Sequence, residues 1–437
     1  MLGTVETRTG TRTAAAARWV PVAVGLVSAV LAWARLSGTA RATLWAEDGK
    51  EFLGDRLREG PLQSWFDVYM GYLHVLPRAM ADAVASFVPP DRWALGMSGL
   101  SCVALGCVAA LVVRCSEDVV HWLPARVALG LATALLPAIP IEVLGNAANL
   151  HWALLWLAPW LLLTSPRSRA AAQGFGVVGL VAALTEVQLA WFVPLALHRR
   201  TDRRRWWITG GVLLGLAAQG IAMLVAPREQ INDGDRGPLS LAEGFVVDAV
   251  ASAWTGSEHV VGDLVLHHGL LPLLATVVPF VIAAAYVLRR GRPEHLLTGT
   301  VLLLGAAVLW TAAGLLNPWP GLEYLSYVDF QWERFELVRY GIVPALLLVA
   351  LVVLAADVAR DRGARFAPWA LLGALAVVAV ASFDVPRQTR DVGPRWDDEV
   401  ELARERCEPA SPDAGLSVPI APDGWWVDLR CAQLGSP

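Results

Sequence analysis

The stretch most informative about this chain is YGIVPALLLVALVVLAA, residues 340–356, which contains no charged side chain. A helix needs about 20 mainly apolar residues to cross a lipid bilayer, where it satisfies its own backbone hydrogen bonds. A continuous apolar block of this kind is therefore typical of a transmembrane helix. Similar blocks occur at 19–36, 93–113, 122–139, 150–164, 206–226, 269–288, 296–315 and 367–383.

The composition of the whole chain agrees with this interpretation. Of its 437 residues, 56% are hydrophobic and only 17% are charged, whereas soluble domains carry about 25% charged residues. The net charge of -4 gives no indication of a nucleic-acid partner. Tryptophan favours the lipid headgroup zone, and several of the 20 tryptophans stand at block ends: Trp19, Trp93, Trp122, Trp206, Trp207 and Trp369. We therefore expect an all-α polytopic membrane protein.

The distribution of arginine predicts the orientation of the helices. Clusters of basic residues are expected on the cytoplasmic side. The segment 171–198, with Glu186 near its middle, could form one long helix or two short ones. Arg167 and Arg199 share a side only if this segment crosses twice, as a short hairpin with Glu186 at its outer tip. The clusters are Arg8/Arg12/Arg18, Arg167/Arg169, Arg199/Arg200/Arg203/Arg204/Arg205, Arg289/Arg290/Arg292 and Arg360/Arg362/Arg365.

This reasoning predicts about eleven transmembrane helices, with the N-terminus in the cytoplasm and the C-terminus outside the plasma membrane. The first helix, 19–36, is interpreted as retained rather than as a cleaved signal peptide. The transmembrane domain would cover 1–383, including a first outer loop at 37–92, and an extracytoplasmic tail would cover 384–437. Within that loop, Arg78 and Asp82 share one face of a predicted interfacial amphipathic helix at Tyr72–Val88. If Tyr72–Val88 crossed the membrane instead, Arg167 and Arg169 would lie outside.

The tail has the pattern of a small folded module. RWDDEVELARERC (395–407) predicts a helix, and VPIAPDGWWVDLRC (418–431) predicts two strands joined by a turn at Asp423-Gly424. Cys407 and Cys431 both fall in the tail, where an oxidising compartment would allow a disulfide between them. The alternative is two free thiols.

The first outer loop begins with LWAEDG, which contains the adjacent carboxylates Glu47 and Asp48. A carboxylate that is partly desolvated near a membrane surface can act as a general base. The alternative is structural, with Asp48 capping a helix and Glu51 completing a capping box.

Four further polar residues are candidates for substrate binding, because polar groups at a membrane edge are costly unless they are used. His74 and Arg78 lie among aromatic residues in WFDVYMGYLHVLPR and could contact a sugar or a lipid headgroup, or only anchor the helix. Glu142 and His151 lie between two apolar blocks.

Two more candidates are expected at the same outer cavity. Asn149 could bind substrate or simply cap a helix. Glu186 could act in the site or form a hydrogen bond between helices. Both lie close to predicted helix ends at the outer face.

Two arginines precede the block at 340–356, in SYVDFQWERFELVRY. Arg339 enters its helix from the outer side, against the usual distribution of arginine, and therefore needs a partner. A phosphate would suit Arg339 or Arg334, because guanidinium binds phosphate through two hydrogen bonds. The alternative is an ion pair, of Arg339 with Glu336 or of Arg334 with Glu333.

The chain contains no Walker motif, no GxGxxG fingerprint and no GxSxG elbow. ATP hydrolysis and serine-esterase chemistry are therefore not indicated.

The arrangement resembles the GT-C superfamily of membrane glycosyltransferases, of the actinobacterial type that depends on polyprenyl-phosphate sugars. Those enzymes have many helices, juxtamembrane helices in a large first outer loop, and an acidic motif near the start of that loop. Here LWAEDG would supply the motif through Glu47 and Asp48. The interfacial helix at Tyr72–Val88, the hairpin at 171–198 and the outer tail are similar as well.

The resemblance implies a function and roles for individual residues. The donor would be a polyprenyl-phosphate-linked sugar and the acceptor a hydroxyl of a lipid or glycan outside the membrane, with inversion at the anomeric carbon. Asp48 or Glu47 would deprotonate the acceptor, and Arg339 or Arg334 would hold the leaving phosphate. A divalent metal is possible, but no second acidic motif matches, so no metal ligand is assigned. The alternatives are a transporter or flippase of lipid-linked saccharides and a non-catalytic envelope scaffold.

Overall fold

The computed structural model describes residues 18–140, 142–228, 237–317, 320–384, 389–408 and 410–434. Within these ranges most residues are helical, and the strands form two hairpins of two strands each. Arg8 and Arg12 of the predicted N-terminal basic cluster lie outside the described residues.

The helices are numbered in chain order. Up to residue 225 they are α1 (Val20–Ala34), α2 (Gly38–Ala42), α3 (Gly54–Glu59), α4 (Val75–Phe87), α5 (Trp93–Cys115), α6 (Leu123–Leu135), α7 (Leu150–Leu163), α8 (Arg169–Ala183) and α9 (Arg205–Val225). They continue with α10 (Pro238–Gly244), α11 (Glu258–His268), α12 (Leu271–Arg290), α13 (Pro293–Leu316), α14 (Asp329–Glu333), α15 (Ile342–Asp361), α16 (Ala367–Ala381) and α17 (Trp396–Cys407). The strands are β1 (Val68–Tyr69), β2 (Tyr72–Leu73), β3 (Gly415–Ile420) and β4 (Trp425–Arg430).

Shorter helical segments complete this outline. One π-helical turn, Asp48–Leu53, leads into α3, and another, Phe245–Val250, follows α10. The longest 3₁₀ segment is Val187–Leu197.

Five helical segments are long and apolar enough to cross a membrane, judged by length and composition: Pro90–Asp118, Arg205–Val225, Leu271–Arg290, Pro293–Leu316 and Arg339–Asp361. Six shorter apolar helices of 10–17 residues accompany them in the described ranges: Val20–Ala34, Leu123–Leu135, Leu150–Leu163, Arg169–Ala183, Val187–Leu197 and Ala367–Ala381. The expectation of a helical membrane protein is supported at this level. The number of crossings and their orientation stay predictions.

Glycines allow two pairs of these helices to pack closely. A Cβ atom on Gly106 of α5 would lie 2.5 Å from the carbonyl oxygen of Gly25 in α1. In the same way, a Cβ on Gly211 of α9 would overlap the carbonyl oxygen of Gly176 in α8. Small residues at helix crossings are a usual means of helix association in membranes, because they let the backbones come into contact.

Two helices form the centre of the molecule. All residues of α7 are buried, and α15 is buried from Ile342 to Ala359. The indole nitrogen of Trp156 in α7 donates to Thr133 of α6 at 3.0 Å, which satisfies a polar group inside an apolar core. The two ends of α15 are where charged residues begin.

The segment 171–198 is divided at Thr185-Glu186 into α8 and the 3₁₀ segment Val187–Leu197. Its two ends come together, because Arg204 donates to the backbone oxygen of Arg167 at 2.8 Å. The chain therefore turns back at Glu186, and the basic residues on either side of the segment are neighbours.

The first outer loop differs from the single helix predicted over Tyr72–Val88. The first two residues of that predicted helix, Tyr72 and Leu73, instead form β2, which pairs with β1 through a tight turn. The helix α4 begins only at Val75. The turn residues Met70 and Gly71 both have positive φ angles, 51° and 84°, as a two-residue hairpin requires. The hairpin is fixed to α9 by Gln219, which bonds both the N–H and the C=O of Leu73, at 2.8 and 3.1 Å.

Arg78 and Asp82, which the sequence places on one face of an interfacial helix, each pair with another helix. Arg78 donates to Asp55 at 2.8 Å, and Asp82 accepts from Arg56. Both partners belong to α3, so these charges join two helices instead of lining the surface of one.

The tail packs on the first outer loop. It contains α17 and the β3–β4 hairpin, linked by a disulfide between Cys407 and Cys431 with their Cα atoms 5.5 Å apart. The Ala46 N–H donates to the Ala421 oxygen at 2.6 Å, and the Ala421 N–H donates to the Leu44 oxygen at 3.1 Å. These two bonds attach the tail directly beside Glu47 and Asp48.

Candidate active site

The turn that carries the two adjacent carboxylates has an unusual backbone. Ala46 adopts a φ angle of 34°, which is costly for a residue with a Cβ atom and persists only where the surroundings impose it. The bonds to Ala421 described above supply that support. Residues Asp48–Leu53 then form a π-helical turn, a conformation that is common at functional sites.

Asp48 is buried and fully engaged by the backbone of another segment. Its carboxylate accepts the N–H groups of Ala147 and Ala148 at 2.8 and 2.7 Å, just before α7 begins. The predicted capping box with Glu51 does not form, because the N-cap position of the turn is Glu47, whose side chain makes no capping bond. Asp48 instead orders the chain that leads into α7.

Arg390 from the tail holds the same segment. It donates to the backbone oxygens of Leu144 and Gly145 at 3.3 and 2.6 Å, and to Thr43 and Ser98. Burial raises the pKa of Asp48 to about 7, although the two N–H groups and the charge of Arg390 act in the opposite direction. Asp48 and Arg390 thus have the contacts of structural residues.

Glu47 has a different environment. It is half-buried, and within the described part of the chain its carboxylate has no hydrogen bond or ion pair. Burial raises the pKa of Tyr69, and the charge of Glu47 raises it further while Arg339 lowers it. Burial also raises the pKa of Tyr72. The charges of Glu186 and Glu47 raise it further, while Arg339 lowers it. Glu47 and Arg339 therefore act on the same two phenols of the β1–β2 hairpin.

Arg339 forms an ion pair with Glu142 through Nη1. The expected ion pair with Glu336 is thus wrong, and a residue from the segment between α6 and α7 takes its place. A guanidinium has five donors, and Nε and Nη2 of Arg339 make no hydrogen bond within the described ranges, so they could serve a ligand. A small cavity beside this pair is lined by Ala138, Glu142, Val143, Asp248, Leu337, Val338, Arg339 and Ile342.

Asp248 supports Arg339 from the second π-helical turn. Its carboxylate accepts the N–H of Val338 at 3.0 Å and the hydroxyl of Tyr324. Burial raises the pKa of Asp248 to about 7, opposed by these two bonds. The sequence analysis missed Asp248, although a single carboxylate in the apolar stretch FVVDAVASAW was a usable signal.

His151 and Glu186 form a buried pair. His151 Nδ1 bonds one oxygen of the Glu186 carboxylate, and the other oxygen accepts the N–H of Gln188 at 2.6 Å. Asn149 stands at the N-cap of α7 without a side-chain capping bond, and its side-chain oxygen accepts the indole N–H of Trp152 at 3.3 Å.

His74 and Arg78 lie deeper, below the β1–β2 hairpin. The ring of His74 is 4.1 Å from that of Tyr72, and burial lowers the pKa of His74 to about 3, so its imidazole is neutral. Arg78 is held by Asp55 and lies over the ring of Phe52 at 5.3 Å. Arg78 therefore has the contacts of a structural residue.

Arg334 stays apart from this group. It is exposed and lies over the ring of Phe330 at 4.4 Å. Its predicted ion pair with Glu333 does not form in the described part of the chain. Of the two candidate phosphate-binding arginines, only Arg339 neighbours the other candidates.

An apolar groove of about 140 Å³ lies next to the site. It runs between α6, α15 and α16 and ends at Leu136 and Pro137, while the following residue, Ala138, lines the small polar cavity.

The opposite end of α15 carries a second cluster of ionisable residues. In the described ranges this is the grouping with the spacing of metal ligands: His121, His295, Asp357 and Asp361 place one potential ligand atom each within 4.8 Å of one another. Arg292 already lies among them, bonded to Asp361 and to His121 Nδ1 at 3.0 Å.

The tautomer of His295 also argues against a metal at this second cluster. Its Nδ1 accepts the backbone N–H of Arg292 at 3.2 Å, which leaves the proton on Nε2. Nε2 faces the Val119 oxygen at 3.1 Å and Asp357 at 3.3 Å. A histidine nitrogen must be unprotonated to bind a metal. The residues therefore do not fit a metal, and we derive no step from one.

No protein-family model, curated protein or solved structure matches the chain. The resemblance to the GT-C superfamily therefore rests on the sequence features alone and stays a prediction.

Proposed function

We propose that this protein transfers a sugar from a polyprenyl-phosphate-linked donor to an acceptor hydroxyl at the outer face of the plasma membrane. One observation carries the proposal: Arg339, which is paired with Glu142, lies close enough to Glu47 for both charges to affect the same two tyrosines of the β1–β2 hairpin, which Glu51 and Glu186 also affect. A carboxylate without a partner among the described residues, next to an arginine with free donors, suits the removal of a proton and the departure of a phosphate.

In the proposed reaction Glu47 is the general base. The acceptor oxygen forms a bond to the anomeric carbon while the bond from that carbon to the phosphate oxygen breaks, with inversion. The hydroxyl proton passes to Glu47, and the electron pair leaves with the polyprenyl phosphate, which Arg339 stabilises. Asp48 takes no part in proton transfer, because both of its oxygens bind backbone N–H groups.

The position of the polar residues supports an enzyme over a transporter. A transport pathway needs polar groups near the middle of the membrane. Here the central helix α15 is buried and apolar from Ile342 to Ala356, with its charges only at its two ends. The apolar groove beside Pro137 adds support for a lipid-linked donor, since it could hold part of an isoprenoid chain.

The proposal includes an orientation. The eleven apolar helices would all cross the plasma membrane, with the N-terminus in the cytoplasm and the tail outside. The first outer loop, residues 136–149 and the turn at Glu186 would then share the outer side.

The test measures sugar transfer in membranes that contain the full chain at matched protein levels. Radiolabelled polyprenyl-phosphate hexoses and pentoses serve as donors, and the variants are Glu47→Gln, Asp48→Asn and Glu51→Gln. We expect Glu47→Gln to lower the rate by about 10²–10⁴-fold, which is the contribution of a general base. Glu51→Gln is the matched comparison, a half-buried carboxylate in the same turn whose charge also reaches Tyr69, and it should lower the rate far less than Glu47→Gln.

Asp48→Asn should reduce thermal stability more than it reduces the rate per folded molecule. If the wild-type protein consumes none of the donors, the proposed function fails. Transfer that is unaffected by Glu47→Gln would show that the base lies elsewhere.

A further inference from the structure

The His151–Glu186 pair presents an unused hydrogen-bond acceptor to the site. An ionised carboxylate only accepts hydrogen bonds, so Nδ1 of His151 donates to Glu186. In the neutral imidazole this bond places the proton on Nδ1 and leaves the lone pair on Nε2. Glu186 is itself fixed by the N–H of Gln188 at 2.6 Å. Nε2 of His151 has no partner among the described residues, and 8% of the residue's surface is exposed.

A second polar atom on the same turn also lacks a partner in the described part of the chain. Nδ2 of Asn146 is buried and makes no hydrogen bond there, although the Oδ1 atom of the same side chain accepts the N–H of Asn149 at 3.3 Å. An unmade hydrogen bond at a buried group is costly. Nδ2 of Asn146 is therefore a second polar atom, five positions before His151 in the sequence, that is unpaired among the described residues.

His151 lies close to the proposed phosphate position. Its ring is tilted against that of Trp152 with ring centres 4.2 Å apart, and Trp152 meets the edge of Tyr340, the residue after Arg339, at 5.9 Å. The charges of Glu186 and Arg339 both affect the pKa of the Tyr72 hydroxyl, Glu186 by raising it and Arg339 by lowering it. A sugar whose phosphate binds Arg339 would accordingly lie beside His151.

We propose that Nε2 of His151 accepts a hydrogen bond from one hydroxyl of the transferred sugar, and that this bond selects the donor. The inference rests on the proposed function. Sites built to bind a hydroxyl discriminate strongly against analogues that lack it, because the buried partner is left unpaired. Glu186 is a positioning residue, since it acts on the sugar only through His151.

The experiment compares the accepted polyprenyl-phosphate sugar with its set of monodeoxy analogues in the purified full-length chain. For the wild-type protein, kcat/KM should fall by about 10- to 100-fold for one analogue, the effect of one strong hydrogen bond. His151→Phe should lower kcat/KM for the natural donor yet reduce that discrimination to about threefold or less. His151→Gln, whose side-chain oxygen can accept the bond, should restore part of it.

Two further variants separate recognition from folding. Glu186→Gln retains a partner for Nδ1 but no longer fixes the tautomer, and should weaken the discrimination. His295→Gln, in the cluster at the far end of α15, should leave the ratio of kcat/KM between the natural donor and the deoxy analogue unchanged.

Equal loss for every donor in His151→Phe, or undiminished discrimination in both His151→Phe and Glu186→Gln, would overturn the inference while the transferase proposal stands. Consumption of no donor by the wild-type protein would overturn both.

Discussion

Each end of α15 carries a cluster of ionisable residues. The two clusters are similar in composition, but they differ in how many of their charged groups have partners. At the far end, the Asp357 carboxylate accepts the N–H groups of His121 and Trp122 at 3.2 and 2.7 Å, and Arg292 bonds Asp361. At the near end, Arg339 uses one nitrogen on Glu142, and Glu47 has no partner in the described ranges.

This difference separates charges that hold helices together from charges that, under the proposed function, bind a substrate. A buried polar network stabilises a fold only when its members are satisfied. The far cluster meets that condition and joins α13, α15 and the segment before α6. The near cluster leaves donors and acceptors unused, as a binding site does before its substrate arrives.

The strongest test of the comparison exchanges the arginine at each end for lysine. Arg339→Lys should reduce kcat/KM for the polyprenyl-phosphate donor by about 10- to 100-fold, because lysine cannot make the two-pronged contact with phosphate. Initial rates measured over a range of donor concentrations give this value. Arg292→Lys, the matched change in the far cluster, should leave the donor kinetics unaltered. If both variants lose activity equally, the cluster at Arg339 is not distinguished from the one at Arg292 by a role in donor binding.

The second test weakens the far cluster. Asp357→Asn should lower the free energy of unfolding by about 1–3 kcal/mol, because an amide has only one acceptor oxygen for the donors that now share the carboxylate. Thermal unfolding of the purified protein measures the loss. Transfer per folded molecule should be unchanged, and a specific loss of transfer would assign the far cluster to the reaction.

The smallest expected effect concerns pH. Asp248 has a pKa of about 7 in the folded protein and about 3.9 when unfolded. Between these values the folded state binds more protons, so stability falls as the pH rises toward and through 7. From pH 6 to pH 8 the loss should be about 1 kcal/mol for this group.

The comparison with Asp248→Asn isolates that contribution. Asp48 follows the same direction, so the variant should show a shallower decline of the unfolding midpoint and not a flat one. If the unfolding midpoint declines equally with pH in the wild type and in Asp248→Asn, Asp248 does not contribute to the pH dependence of stability.

The apolar helices could be predicted well from the sequence because continuous apolar blocks have few alternatives in lipid. The break near Glu186 followed from placing Arg167 and Arg199 on one side. The helix and hairpin of the tail followed from local patterns, which depend on residues close together in the chain.

The partners of the charged residues could not be predicted in the same way. Glu142 pairs with Arg339, and Asp48 with the N–H groups of Ala147 and Ala148, across about 100 or more positions of sequence. Such pairings depend on how helices pack, whereas the expected partners Glu336 and Glu51 were chosen because they are near in sequence. The distinction between Glu47 and Asp48 has the same origin, since adjacent residues look equivalent until the surrounding segments are known.

The contact between Ala46 and Ala421 also has a consequence for biosynthesis. The turn bearing Glu47 is made early, but the strand that fixes its backbone is made only after all the apolar helices. A nascent chain could therefore insert every helix while the turn bearing Glu47 is still unformed. Under the proposed function and orientation, activity would appear in one step, when residues 415–430 dock on that turn, and the tail would act as a check on completed assembly.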